Sequence, residues 1–183
     1  MQELLNKWNI KVDYNILLSM WNESHRYYHN QQHLIELIEK INSIKKTLSE
    51  KEYDKLILCA LFHDIVYQPN YTDNEERSAD FFLSCCQDKD NVDILEIYNM
   101  IIETKTHKST DKLSVIFNNF DMDIVESNYD KLLEWEMGIY NEFVPHYGEE
   151  LYKQGRLSFL NSLLDKYPNN TENLLKLIDY IKK

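Results

Sequence analysis

Three glycines (Gly138, Gly148, Gly155) and three prolines (Pro69, Pro145, Pro168) are all that punctuate 183 residues. The tight turns of a β-sandwich or barrel draw heavily on both residue types, so a chain this poor in them is expected to be helical. The same scarcity removes two nucleotide-binding devices. No two of these glycines stand at the spacing of a dinucleotide-binding turn or of a phosphate-cradling loop.

Helical periodicity runs through most of the chain. Asp13 is placed to cap a helix reaching about Asn22. Asn30 can cap a longer one in which Leu34, Leu37, Ile38, Ile41, Ile44 and Leu48 recur at steps of three and four, with His33 on the same inward stripe. Ser49-Glu50-Lys51-Glu52 is a capping box that opens a third helix; Tyr53, Leu56, Ile57, Ala60 and Leu61 make its buried side and His63-Asp64 its end. After a loop around Pro69, Asp73-Asn74-Glu75-Glu76 reads as a further cap leading into Ala79, Phe82, Leu83 and Cys86. Asn91 to about Thr104 repeats the pattern, leaving His107 in a polar break, and segments of about 111 to 126, 128 to 142, 156 to 166 and 171 to 182 are helical by the same criterion. The expected fold is all-α, a bundle of about eight helices. The polar breaks are short, no internal repeat is present, and 43% hydrophobic residues can build one core, so residues 1–183 are expected to form a single domain.

Twenty Lys and Arg against 31 Asp and Glu leave a formal net charge of −11. That field repels polyanions, so neither nucleic acid nor an anionic membrane surface is an expected partner. Cys59, Cys85 and Cys86 contain no Cys-x-x-Cys spacing, which indicates neither a disulfide framework nor a cysteine zinc site and fits a reducing cytoplasm. Charged residues interrupt the first 25 positions and no later stretch approaches 18 apolar residues, so no export signal or membrane span is expected.

One apolar run carries an ionisable pair: Leu58-Cys59-Ala60-Leu61-Phe62-His63-Asp64-Ile65-Val66. Burying an unpaired carboxylate costs on the order of several kcal/mol, so the pair must be neutralised, hydrogen-bonded or bound to a metal. A divalent ion is one solution, because imidazole nitrogen and carboxylate oxygen both suit it and successive residues at a helix edge can both reach it. A plain His-Asp hydrogen bond is another, and the dipeptide does not choose between them.

The neighbourhood widens the pattern. Tyr28-His29-Asn30-Gln31-Gln32-His33, then His63-Asp64, then Asp121-Met122-Asp123 resembles the HD superfamily of metal-dependent phosphohydrolases, whose signature is a His, a later His-Asp pair and a distant Asp. The chain is more closely similar to the bacterial branch described as predicted metal-dependent HD phosphohydrolases. That likeness runs on through Phe62 to Tyr67, Asp73 to Ala79, Thr104-Lys105-Thr106-His107 and Gly155-Arg156, and covers about residues 20 to 165 in order. The Tyr28 to His33 element is also similar to the cyclic-nucleotide phosphodiesterases. After His63-Asp64, however, those enzymes continue with a further histidine and proline where this chain has Ile65-Val66-Tyr67.

Carried over position by position, the resemblance implies that His33, His63, Asp64 and Asp123 are metal ligands, with Asp121 the alternative to Asp123. Against the stripe Leu113, Ile116, Phe117, Phe120 and Ile124 the two acids lie about equally far to either side, so periodicity does not separate them. Asp123 is preferred because in related sequences an apolar or basic residue directly follows the ligand. His29 matches the histidine that protonates the leaving oxygen, a task suited to a neutral-range pKa. It is expected one helical turn from His33. His107 would join a second metal or bind phosphate. Glu75 or Glu76 would orient the attacking water, or the two would simply complete a capping box. Arg26, Lys105, Lys108 and Arg156 would contact phosphate. His25 and His146 receive no role, and Trp8, Trp21 and Trp135 read as core or helix contacts.

The function so implied is hydrolysis of a phosphate ester or phosphoanhydride in a small, nucleotide-like substrate. It needs a divalent metal, with Mn, Mg, Zn, Fe, Co and Ni all open. The metal also offsets the charge of an anionic substrate in an acidic protein. The expected partner is that phosphorylated substrate, and a homodimer is an open alternative to a monomer. Two rival readings remain: a metal- and nucleotide-binding regulatory module without turnover, and an iron-dependent oxygenase on the same fold, for which His107 is the one well-placed extra histidine.

Overall fold

The computed structural model describes residues 1–183. Nine α-helices form: α1 (Gln2–Lys7), α2 (Tyr14–Trp21), α3 (Gln31–Ser43), α4 (Glu50–Phe62), α5 (Asn74–Cys85), α6 (Val92–Glu103), α7 (Lys112–Asp121), α8 (Tyr129–Leu163) and α9 (Thr171–Ile181). Short 3-10 turns occupy Lys45–Thr47, Met122–Glu126 and Pro168–Asn170. There is no sheet, only an isolated antiparallel bridge between Ile10 and Cys86. The fold is all-α, as expected. The chain divides into two compact units, Met1–Asp121 and Met122–Lys183, a division that the sequence reading of one domain did not contain.

In the first unit the caps fall where the sequence places them. Asp13 and Asn30 accept backbone N–H groups at 2.8 Å from Asn15 and Gln32, and Ser49 and Glu52 complete the capping box of α4. Helix α4 is the centre of the unit, packed against α3, α5, α6 and α7. Every residue from Asp54 to Phe62 is therefore buried, not only the one side read from periodicity. Its two buried charges are paired: Asp54 accepts from Lys7 Nζ at 2.6 Å and Trp8 Nε1 at 3.0 Å, and Lys55 meets Asp93 at 2.7 Å as well as Glu96.

Three sequence expectations change here. Helix α1 was not anticipated. The stripe from Leu34 to Leu48 does not lie on one helix, because α3 ends at Ser43 and Lys45–Thr47 forms a 3-10 turn. Asp73 stands at the start of α5 without capping it: its carboxylate takes Arg77 Nε at 2.8 Å, while Asn74 closes the Pro69 loop through two hydrogen bonds to the Gln68 backbone.

In the second unit α8 packs on α9. The two helices expected over 128 to 142 and 156 to 166 are limbs of one kinked element. Pro145 lies within it and Gly148, at φ 74° and ψ 163°, makes the break. That backbone conformation favours glycine. Glu136 joins the limbs, since it accepts from Tyr152 Oη at 2.5 Å and Arg156 Nε at 2.7 Å in a buried cluster roofed by Trp135. No helix in the structure is long and apolar enough to cross a membrane.

Candidate metal centre

Three helix ends of the first unit present the proposed ligands. His33 lies in the first turn of α3, fixed by the Asn30 cap. His63 ends α4, its N–H bonded to Cys59 O, and Asp64 follows directly. Helix α7 ends at Asp121, with Lys40 Nζ on Phe120 O at 3.0 Å, a cation satisfying one of the orphan carbonyls of a helix C-terminus.

The side chains converge. Ligand atoms of His33, His63 and Asp64 all lie within 4.8 Å of one another. His63 Nε2 is 3.2 Å from Asp64 Oδ2 and 3.7 Å from Asp121 Oδ1, and His33 Nε2 is 3.0 Å from the same Asp121 oxygen. His33 and His63 are buried, yet neither Nε2 makes a hydrogen bond of acceptable geometry. His63 Nδ1 sits 3.1 Å from Ala60 O, an arrangement that makes Nδ1 the donor of that bond and turns Nε2 toward the carboxylates, as a metal ligand there would require. The rings of Trp21 and Phe117 pack 5.5 and 5.2 Å from the His63 ring and limit its rotation. Two orphaned imidazole nitrogens facing carboxylate oxygens fit a divalent cation.

Without metal, the cluster stores a proton. Burial works against a charged His63, but the carboxylates of Asp64 and Asp121 outweigh it and push the imidazole up to about 9. Burial likewise opposes ionisation of Asp64 and Asp121; His63 and His29 overcome it for the first, and His107 and His33 for the second, so both carboxyls are held below the usual range. A folded-state value raised from 6.5 to about 9 gives stability that is fully present below pH 6.5 and lost as pH rises through 9. The metal-free protein should therefore become less heat-stable between pH 6.5 and 9, by at most about 3 kcal/mol. Saturating divalent metal, which requires neutral His63, should abolish that decline in a thermal melt series.

Asp121 supplies the carboxylate that faces both histidines. Asp123, the residue preferred from sequence, belongs to the second unit and is exposed on the Met122–Glu126 turn. The physical reason is the end of α7: the regular helix stops at Asp121, so a continuous helical wheel does not apply to Asp123. Asp121→Ala should weaken Mn²⁺ binding by more than about 100-fold, whereas Asp123→Ala should leave it within about twofold in a calorimetric titration.

Other sequence candidates are redistributed. His107 Nε2 binds Asp121 Oδ2 at 2.9 Å, so it steadies the carboxylate that faces the histidines and is not a free loop cation. Its backbone is left-handed, φ 49°, a region in which His is one of the tolerated residues. His29 lies before α3, not on it, yet its ring centroid is 6.2 Å from that of His33, stacked on Tyr67 at 4.4 Å and edge-on to Tyr28 at 5.0 Å. Burial raises the Glu75 carboxyl and the charge of Asp64 acts in the same direction, which links Glu75 electrostatically to the cluster.

The proposed phosphate contacts fare differently. Lys105 Nζ is held by Glu76 at 2.6 Å and Thr72 O at 2.7 Å. Arg26 is buried and engaged with Glu23 and three backbone carbonyls. Arg156 belongs to the second unit and is committed to Glu136. Lys108 is exposed. His25, given no role from sequence, places Nε2 2.9 Å from Tyr67 O. Comparison with protein-family models, curated proteins and solved structures finds no match to this chain.

Proposed function

We propose that this protein is a metal-dependent phosphohydrolase of the HD type, cleaving a phosphate ester or phosphoanhydride in a small, nucleotide-like substrate. The observation that carries the reading is the convergence of the buried His33 and His63 with the partly buried Asp64, the two imidazole Nε2 atoms lacking a hydrogen bond of acceptable geometry and Asp121 facing both. A divalent ion held there would polarise a phosphoryl oxygen and lower the pKa of a bound water.

The chain's own residues supply the remaining tasks. His29, beside the cluster, carries the proton for the leaving oxygen. Glu75, whose carboxyl feels the charge of Asp64, orients the attacking water. His107 holds the Asp121 carboxylate in place. Three cysteines without a disulfide suit a cytoplasmic setting. The engagement of His107 with Asp121 weighs against the oxygenase reading, which needs it as an additional ligand.

The test is a screen of nucleotides and simple phosphoesters with protein loaded in turn with Mn²⁺, Co²⁺ and Zn²⁺. Metal-dependent release of phosphate or of a phosphomonoester, abolished by a chelator, is the expected result. Tight metal binding with no turnover on any substrate would favour the regulatory module. No metal binding at all would overturn the site.

A further inference from the structure

Arg26 touches the machinery around the cluster from two sides, through the turn at His29 and the turn at Asp64. Its guanidinium is fully enclosed, lying 5.5 Å from the centroid of the Trp21 ring and 5.3 Å from that of Tyr67. Nη1 donates to His29 O at 3.0 Å and to Asp64 O at 2.8 Å, Nη2 donates to Ile65 O at 3.0 Å, and Nε pairs with Glu23 Oε2 at 3.0 Å. One planar group thus ties the turn that carries His29 to the turn that follows His63. The same two turns meet again where His25 Nε2 contacts Tyr67 O and where the His29 ring stacks on Tyr67.

A buried cation in this place satisfies the carbonyls of Asp64 and Ile65, which lie just past the end of α4 and outside its helical hydrogen bonding. A lysine would carry the charge but lacks the rigid fork that reaches three carbonyls at once. Stability alone does not require the arginine to bridge these two particular turns. The bridge sets the distance between a side chain that delivers a proton and one that holds the metal, and a shift of about 1 Å in such a distance costs on the order of 100-fold in rate.

We propose that Arg26 is a positioning residue, an internal strut that sets His29 against Asp64, and not a substrate contact. The inference rests on the roles just proposed for His29 and Asp64. It places the strut's effect on protonation of the leaving group, because the carbonyl it holds is that of His29 itself. Glu23, half-exposed, orients the guanidinium from outside through Nε.

Mn²⁺-loaded wild type, Arg26→Lys, His29→Ala and the double variant are assayed on an alkyl phosphate, whose leaving oxygen needs a proton, and on p-nitrophenyl phosphate, whose leaving oxygen does not. Mn²⁺ affinity is followed separately by electron paramagnetic resonance. Arg26→Lys should lose about 100-fold on the alkyl ester and less than about tenfold on the nitrophenyl ester, and should add little to His29→Ala. Its Mn²⁺ affinity should fall by about 10- to 100-fold at most, the range for a group that supports a ligand. Equal losses on both esters, or effects that multiply in the double variant, overturn the strut. A wild type that binds no Mn²⁺ overturns the metal reading instead. If Arg26→Lys does not fold, Glu23→Gln, which alters only the half-exposed partner, should give the same leaving-group pattern at smaller amplitude, and equal losses in it are as decisive.

Discussion

Asp64→Ala should remove divalent metal from the protein while leaving its helices intact. Asp64 closes the cluster on one side, 3.2 Å from His63 Nε2, and its loss leaves His63 with only Asp121, at 3.7 Å. Replacing a group that merely supports a ligand typically costs 10- to 100-fold in metal affinity, so loss of the ligand should exceed about 100-fold in a Mn²⁺ titration. In the metal-free protein the same change removes the main source of the raised His63 value and leaves that ring in an apolar setting. Breaking a fully buried pair costs about 3–5 kcal/mol; Asp64 keeps 15% of its side-chain surface, so about 1–3 kcal/mol is expected. Circular dichroism should still report a helical protein. Undiminished metal at full stoichiometry in Asp64→Ala would remove the proposed centre altogether.

The second large effect is on chemistry, not on binding. His29→Asn should keep stoichiometric metal and near-native thermal stability, because the ring is outside α3 and packs on Tyr28 and Tyr67 near the surface of the unit. Turnover should fall by about 10²- to 10⁴-fold, the usual contribution of a general acid. The deficit should shrink on substrates whose leaving group needs no proton. If metal is lost together with activity, and both kinds of substrate suffer equally, His29 supports the cluster and Glu75 becomes the first group to test for proton transfer.

The ligand set was only partly legible in the chain. His63-Asp64 stood out because a charged pair in an apolar run demands a partner, and helical spacing put His33 on the inward stripe of α3, although only the resemblance implied a ligand role for it; these side chains are buried or nearly so. Asp121 did not stand out. A helical wheel extended past the end of α7 assigns Asp121 and Asp123 equal claims, and the choice depends on where the helix stops. Arg26 was legible only as a cation for phosphate, since nothing in its neighbours announces that its side chain turns inward between Trp21 and Tyr67.

The all-α class, the capped starts of α2, α3, α4 and α6 and the burial of the histidine-bearing stripe were determined by the sequence itself. Each follows from interactions within a few residues: scarce glycine and proline, a side chain that accepts the N–H groups of the next turn, and apolar residues at helical spacing. Tertiary structure alone decided that α4 is enclosed on all sides, that Gly148 bends α8, that Asp121 meets His33 and that Arg26 spans the turns at His29 and Asp64. Those outcomes join residues tens of positions apart. They depend on the packing of whole helices, which local pattern does not encode, and on burial, which makes an unpaired charge too costly to leave alone.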